Sequence, residues 1–421
     1  MSDVLQRWLN FLQGDGFAVS VAFAIAAVGA ALAVWPVRRL ALRLSAIDVP
    51  GGRHLHLRPT ARLGGLAILL AFWVAWPIGQ ALLGESRPEV TEQAGSMWAI
   101  LVVGSFVCAL GARDDVRGLS AGKKLLGLAM AGVALVLCDV RVDFFEVPLL
   151  GKIALGPWAG LATVAWVVAC ANAVNLIDGV DGLGSGVTMV SACALALVAF
   201  GVGDPGTALG FAVVAGACAG FLLHNREPAR IFLGDSGALT LGFVLAALSA
   251  SGCTKRATAV FLFAGLCALS VPLLDSSQAF SRRFLRGCRG IAPKQLWAGL
   301  CAAGVGDREH IHHRLLQRGL SHRQVTRVLS LGTMAPCLLT LSLLPSNAVG
   351  WTTVCGAGVA ATYVLLRLAA LPRSTQVART ESSVEKTVVL PAQPPRTHVD
   401  ASVEATALEP ESVARSSAER P

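Results

Sequence analysis

The sequence predicts an all-α fold, a polytopic integral membrane helical bundle with a small external β-hairpin. Three observations carry that expectation. The 421 residues are 54% hydrophobic and 14% charged, against roughly 45–50% and about 25% in soluble domains. Apolar runs long enough to cross a bilayer recur along the chain, and Lys and Arg crowd every second loop.

The runs fall at about 17–37, 63–84, 96–113, 124–140, 157–175, 183–203, 205–224, 236–252, 257–280, 325–345 and 347–371, giving about eleven transmembrane helices. Before the first run, Met1 to Gly16 lacks the basic start and small-residue cleavage site of a signal peptide, so that run is expected to stay as a helix. The loop after it holds Arg38, Arg39, Arg53, Arg58 and Arg62, the loop after the third holds Arg117 and Lys123, and the loop after the ninth holds Arg282 and Arg283. The opposite face holds only Arg7, Arg87, Arg141, Lys152, Lys255 and Arg256. The positive-inside bias therefore puts the odd-numbered loops and the C-terminus in the cytoplasm and the N-terminus outside. Between the fourth and fifth runs, short apolar stretches from Val142 to Leu155, broken by Pro148 and Gly151, suggest the external hairpin. Two regions follow from composition: a transmembrane catalytic domain over 1–372, and a tail over 373–421 too poor in apolar side chains to bury a core, expected to be disordered and cytoplasmic.

The net charge of +9 is accounted for by basic loops facing anionic lipid or substrate, and no nucleic-acid-binding motif is present. The eleven cysteines are scattered without Cys-x-x-Cys or zinc spacing and behave as small hydrophobes.

Every unusual polar cluster falls in an odd-numbered loop. After the fifth run comes Asn172-Ala-Val-Asn175-Leu-Ile-Asp178-Gly-Val-Asp181-Gly-Leu, where two amides and two carboxylates spaced three apart are expected on one side of a helical turn. Carboxylates at the end of a membrane run are costly unless they line a polar cavity. The plain alternative is capping of the next helix. Asp114-Asp115 follows the third run, Asn225 to Gly237 the seventh, and His310-Ile-His312-His313-Arg314 closes the ninth loop. Taken singly, these could be interfacial charge, a helix cap and a basic patch. Together, carboxylates mixed with basic groups suit a divalent cation and several phosphates, and the adjacent glycines let backbone N–H groups approach an anion. A cation-coupled transporter is the competing class, but its acids belong near mid-bilayer in broken helices. A non-catalytic scaffold leaves the acids unexplained.

At these residues the chain resembles the polyprenyl-phosphate N-acetylhexosamine-1-phosphate transferases, relatives of the phospho-MurNAc-pentapeptide translocase. The resemblance rests on DDxxGLSxxxKL from Asp114, NAVNLIDGVDGL from Asn172, NxxPAxIFxGDSG from Asn225 and HIHHRL from His310, and it covers roughly 40–330. It implies transfer of a sugar phosphate from a UDP-N-acetylhexosamine to undecaprenyl phosphate with release of UMP, in a bacterial inner membrane, using Mg²⁺ or Mn²⁺. The product would start a lipid-linked envelope polysaccharide such as O-antigen, and a homodimer is compatible with it. It further implies Asp235 as metal ligand, Asp114 and Asp115 as the catalytic acidic pair, and Lys124, Asn175, Asp178, Asp181, Asn225, His310, His312, His313 and Arg314 as substrate-binding residues. His-Ile-His-His-Arg, rather than three adjacent histidines, is similar to the UDP-N-acetylglucosamine branch more than to the peptidoglycan translocase. Departures from the family pattern are Ala61 for Pro, Ala238 for Ser, and a longer ninth loop over Arg289 to Gly306, which bears on the sugar pocket more than on the chemistry.

Overall fold

The computed structural model describes residues 14–48, 59–84, 88–147, 151–201, 203–251, 281 and 311–342. Helices α1 (Asp15–Arg43), α2 (Gly64–Leu83), α3 (Pro88–Arg117), α4 (Ala121–Leu137), α5 (Ala159–Ile177), α6 (Leu183–Gly201), α7 (Pro205–Asn225) and α8 (Gly234–Ser251) follow one another. Helices α9 (Ile311–Gln317) and α10 (His322–Ser342) come later in the chain. Two short antiparallel pairs join them, β1 (Ile47–Asp48) with β2 (Thr60–Ala61), and β3 (Phe144–Val147) with β4 (Gly151–Ala154). The β3–β4 hairpin is anchored where Val142 N donates to the buried Thr163 Oγ1 of α5 at 2.9 Å.

Seven helices among the described residues are long and apolar enough to span a membrane: α1, the Gly95–Arg117 part of α3, Gly156–Ile177, and α2, α6, α7 and α8 in full. The chain is an integral membrane protein of helical architecture. The run expected at 124–140 forms α4, only 17 residues long, and the run expected at 325–345 overlaps α10. The runs at 257–280 and 347–371, and the tail expected from 373, lie outside the described residues.

Large apolar side chains face outward, the reverse of a soluble bundle. Along α1, Ala22, Ala26, Ala30 and Ala41 are buried against α2 and α7, whereas Val28, Leu32 and Trp35 point outward and are more than half exposed. Small residues inside let backbones approach, and lipid accepts the large side chains outside. Helix α7 starts cleanly because Pro205 needs no N–H partner there and Asp204 Oδ1 accepts from Thr207 N at 2.9 Å.

Two expectations are corrected. The third helix runs on to Arg117, so Asp114 and Asp115 sit in its last turn rather than in a loop. The Asn172–Asp181 set does not share one helical face either: α5 stops at Ile177, Asp178 is its C-cap, and Asp181 lies beyond in the turn. The paired glycines Gly179 and Gly182 favour leaving the helix over extending it.

Candidate active site

The ends of α3, α4, α5 and α8 that carry acidic or basic side chains meet at one end of the bundle. Two carboxylates in the last turn of a helix face the negative end of its dipole, an unfavourable position unless donors compensate. Here they do. Asp114 Oδ1 accepts from Leu119 N at 2.6 Å, just past the helix end. Asp115 reaches across to the first turn of α8, where its Oδ1 accepts from Asp235 N at 2.9 Å and its Oδ2 from Ser236 N at 3.0 Å.

Asp115 therefore caps a helix that supplies no cap of its own. Gly234 opens α8 at φ +69° and has no side chain to bond the first N–H groups. A Cβ at Gly234 would fall 2.5 Å from Asp115 Oδ2. The bare backbone is what admits the carboxylate.

A second strut comes from the residues before α2. Phe232 N donates to Ala61 O at 2.8 Å, Gly64 N to Phe232 O at 3.1 Å and Gly65 N to Leu233 O at 3.2 Å. Gly65 lies so close to the Ser236–Gly237 backbone that a Cβ would overlap it. Nearby, Asn225 is buried, with Nδ2 donating to Ile231 O at 3.0 Å and Oδ1 accepting from Ser185 Oγ at 2.7 Å. Asp181 Oδ2 accepts from Ala229 N at 2.9 Å, and its backbone oxygen accepts from Thr326 Oγ1 of α10 at 3.1 Å. Asn225 and Asp181 hold the 225–233 segment in shape, which in turn aims Asp235.

With its backbone so held, Asp235 turns its carboxylate to Lys124 on α4. Lys124 Nζ donates to Asp235 Oδ2 at 2.7 Å and to Asp114 Oδ2 at 3.2 Å. The two carboxyl groups themselves lie within hydrogen-bonding range of each other. Like charges so close need a cation or a shared proton between them, and the ammonium stands where that cation is wanted. Among the described residues no three His, Cys, Asp or Glu side chains gather around one point. Two convergent carboxylates still suit Mg²⁺, which binds through one or two of them and completes its shell with water and phosphate oxygens.

Asp178 closes the site from α5. It accepts from Gly184 N in the first turn of α6, so the capping alternative holds in part. Burial, with the negative charges of Asp235, Asp115 and Asp181, pushes its carboxyl up to about 7. The unfolded chain releases this proton first, near the ordinary aspartate value of 3.8, so stability falls as pH rises from there to the folded value and stays level above it. The full penalty is about 4 kcal/mol at most by the 1.36 kcal/mol per unit rule, and less because the residue as a whole is only half-buried. Asp178→Asn is accordingly expected to raise the unfolding temperature in detergent more at pH 8 than at pH 5. An equal effect at both values would show that the ionised carboxylate sits there without penalty.

Asn175 is half-buried on the last turn of α5, beside this group. Helix α9, which carries the histidine motif, packs through Ile311 and Leu315 on Ile177, Val180 and Leu183. The motif's backbone thus lies against the Asp178 turn. His310 and the side chains of His312 and His313 lie outside the described residues, and Arg314 is half-buried with no bond to the carboxylate cluster among them.

Residues 97–252, which hold Asp114, Asp115, Lys124, Asp178 and Asp235, match the model of glycosyl transferase family 4. A probable undecaprenyl-phosphate N-acetylglucosaminyl 1-phosphate transferase of Bacillus subtilis is 34% identical over 74% of this chain and 81% of its own length. A decaprenyl-phosphate N-acetylglucosaminephosphotransferase of Mycobacterium tuberculosis is 34% identical over 73% and 78% respectively. A phospho-N-acetylmuramoyl-pentapeptide-transferase of Desulforudis audaxviator is 30% identical over 71% and 88%. With relatives this similar matched over most of their length, and with the carboxylate cluster inside the matched segment, the chain belongs to glycosyl transferase family 4.

Proposed function

We propose that this protein transfers N-acetylglucosamine-1-phosphate, or a related N-acetylhexosamine-1-phosphate, from a UDP-sugar to undecaprenyl phosphate and releases UMP. The observation that carries the proposal is the convergence of Asp114 and Asp235 on one cation position at the ends of membrane helices, where a lipid-borne phosphate and a soluble nucleotide can meet. Relatives named for N-acetylglucosamine are more similar in sequence than those named for the muramoyl-pentapeptide, which favours the former donor. The site faces the cytoplasm on this reading, with the β3–β4 hairpin outside. Reporters fused after Lys124 and after Arg373 should both read cytoplasmic; a periplasmic signal after Lys124 would overturn the orientation, and one after Arg373 alone would remove one helix from the expected count.

In the reaction an oxygen of the lipid phosphate attacks the β-phosphorus of the UDP-sugar, the bond from that phosphorus to the UMP oxygen breaks, and a lipid-linked diphosphate sugar forms. Mg²⁺ held by Asp235 and Asp114 would supply charge neutralisation for the diphosphate and the leaving UMP. Lys124 adds a fixed positive charge beside the same oxygens. Asp114 takes or directs the proton of the lipid phosphate, and Asp115 fixes the start of α8 so that Asp235 stays aimed. Asp178, Asn175 and the histidine helix line the nucleotide side, and Asp181 and Asn225 act by shaping the loop.

Purified protein in detergent with undecaprenyl phosphate is expected to release UMP from UDP-N-acetylglucosamine only when a divalent cation is present. Mass spectrometry of the lipid product from a panel of UDP-sugars would assign the donor. Turnover confined to UDP-MurNAc-pentapeptide would move the protein to the peptidoglycan branch.

A further inference from the structure

Beside the Asp181–Gly182 turn lies a second polar cavity, of about 640 Å³, between the end of α7 and the start of α10. Four arginines line it, Arg226 and Arg230 after α7 and Arg323 and Arg327 on α10, with His224 beside them. Two acids share the wall. Glu227 is matched by Arg323, whose guanidinium donates to its backbone oxygen at 3.0 Å and lies 3.7 Å from its carboxylate. Asp181 is held by Ala229 N. Arg226, Arg230 and Arg327 are exposed and make no ion pair among the described residues. Three guanidinium groups around one concavity are an anion site, since each offers a planar fork of donors matched to a phosphate.

The rim says which phosphate. Leu223, part of the lining, is 58% exposed, and Trp35 on α1, 54% exposed, meets His224 edge-on with ring centres 6.2 Å apart. An inorganic anion such as free phosphate gains nothing from apolar side chains beside its binding groups. A lipid does, because its chains must run down the outer helix faces while its headgroup stays at the boundary, where Trp is favoured. We infer that this cavity binds the headgroup of an anionic phospholipid, with the phosphate on Arg226, Arg230 and Arg327 and the acyl chains along Leu223 and Trp35. The cavity shares the Asp181 turn with the transferase centre and uses none of the other residues assigned to the reaction.

Native mass spectrometry of the full-length protein, delipidated in neutral detergent, tests the assignment with phosphatidylglycerol and phosphatidylcholine as probes. Wild type is expected to retain one phosphatidylglycerol far more tightly than phosphatidylcholine. The triple change Arg226→Gln, Arg230→Gln, Arg327→Gln should weaken that retention about a hundredfold, at about fivefold per basic residue, without altering UMP release in detergent. Arg→Lys at the same three positions, which keeps the charge and loses the planar fork, should fall between the wild type and the Gln variant. If the triple Gln variant does not fold, the single Arg230→Gln and Arg327→Gln variants carry the same test at about fivefold each. Equal retention of the two lipids, or an unchanged preference in the Gln variants, overturns the inference. Displacement of phosphatidylglycerol by UDP-N-acetylglucosamine or by inorganic phosphate would assign the cavity to a soluble anion instead.

Discussion

Asp235→Asn is expected to leave the protein folded and to lower turnover by about 10²–10³-fold, the range seen when one preorganised electrostatic partner is removed from a reaction centre. The fold should survive because the position of α8 depends on the backbone N–H groups of Asp235 and Ser236, held by Asp115, and not on the Asp235 side chain. The chemistry should not survive, because an amide has nearly the carboxylate's shape but lacks the charge that a hard cation requires. A companion variant separates metal binding from catalysis. Lys124→Gln removes the ammonium that bridges Asp114 and Asp235, leaving two close carboxylates to repel. Its unfolding temperature should drop in EDTA and recover with Mg²⁺ by more than the wild type gains. Wild-type turnover in Asp235→Asn at ordinary Mg²⁺, or no extra Mg²⁺ stabilisation in Lys124→Gln, would remove the cation from this position.

The helical architecture was legible because lipid imposes it: a run such as 183–203 has no other way to satisfy its backbone than as a helix, and α6 occupies Leu183–Gly201. That the polar residues gather at one end followed from loop parity. What stayed hidden was the division of labour among them. Asp114 and Asp115 are adjacent and chemically identical, yet a helix turns about 100° between neighbours, so one points to Lys124 and the other to the start of α8. The clue in the sequence was indirect. Gly234-Asp235-Ser236-Gly237 begins a helix without a capping side chain before it, so an acceptor had to come from elsewhere. The motif of Asn225 suggests a substrate contact, whereas in the structure its amide bonds Ile231 O and Ser185 Oγ. The docking of Ala61, Gly64 and Gly65 on the 231–233 segment links positions about 170 residues apart, and local pattern does not report such pairings.

That division of labour gives the two neighbours opposite signatures. Asp114→Asn should depress kcat most near pH 6 and recover partly toward pH 9. A phosphate monoester loses its second proton near pH 6, so at higher pH the lipid phosphate is already a dianion and needs no base. Asp115→Asn should instead depress kcat equally at every pH and lower the unfolding temperature. Its amide would turn a donor toward the N–H of Asp235 or Ser236, leaving a buried pair unmatched at a cost of about 1–3 kcal/mol. The loss would come from a loosened α8 start, so it carries no proton dependence. A flat profile for Asp114→Asn, matching that of Asp115→Asn, would leave Asp114 as a cation ligand and assign the proton to solvent or to the lipid phosphate itself. A pH-dependent loss in Asp115→Asn with unchanged stability would reverse the two roles, and would require its carboxylate to leave the α8 backbone during turnover.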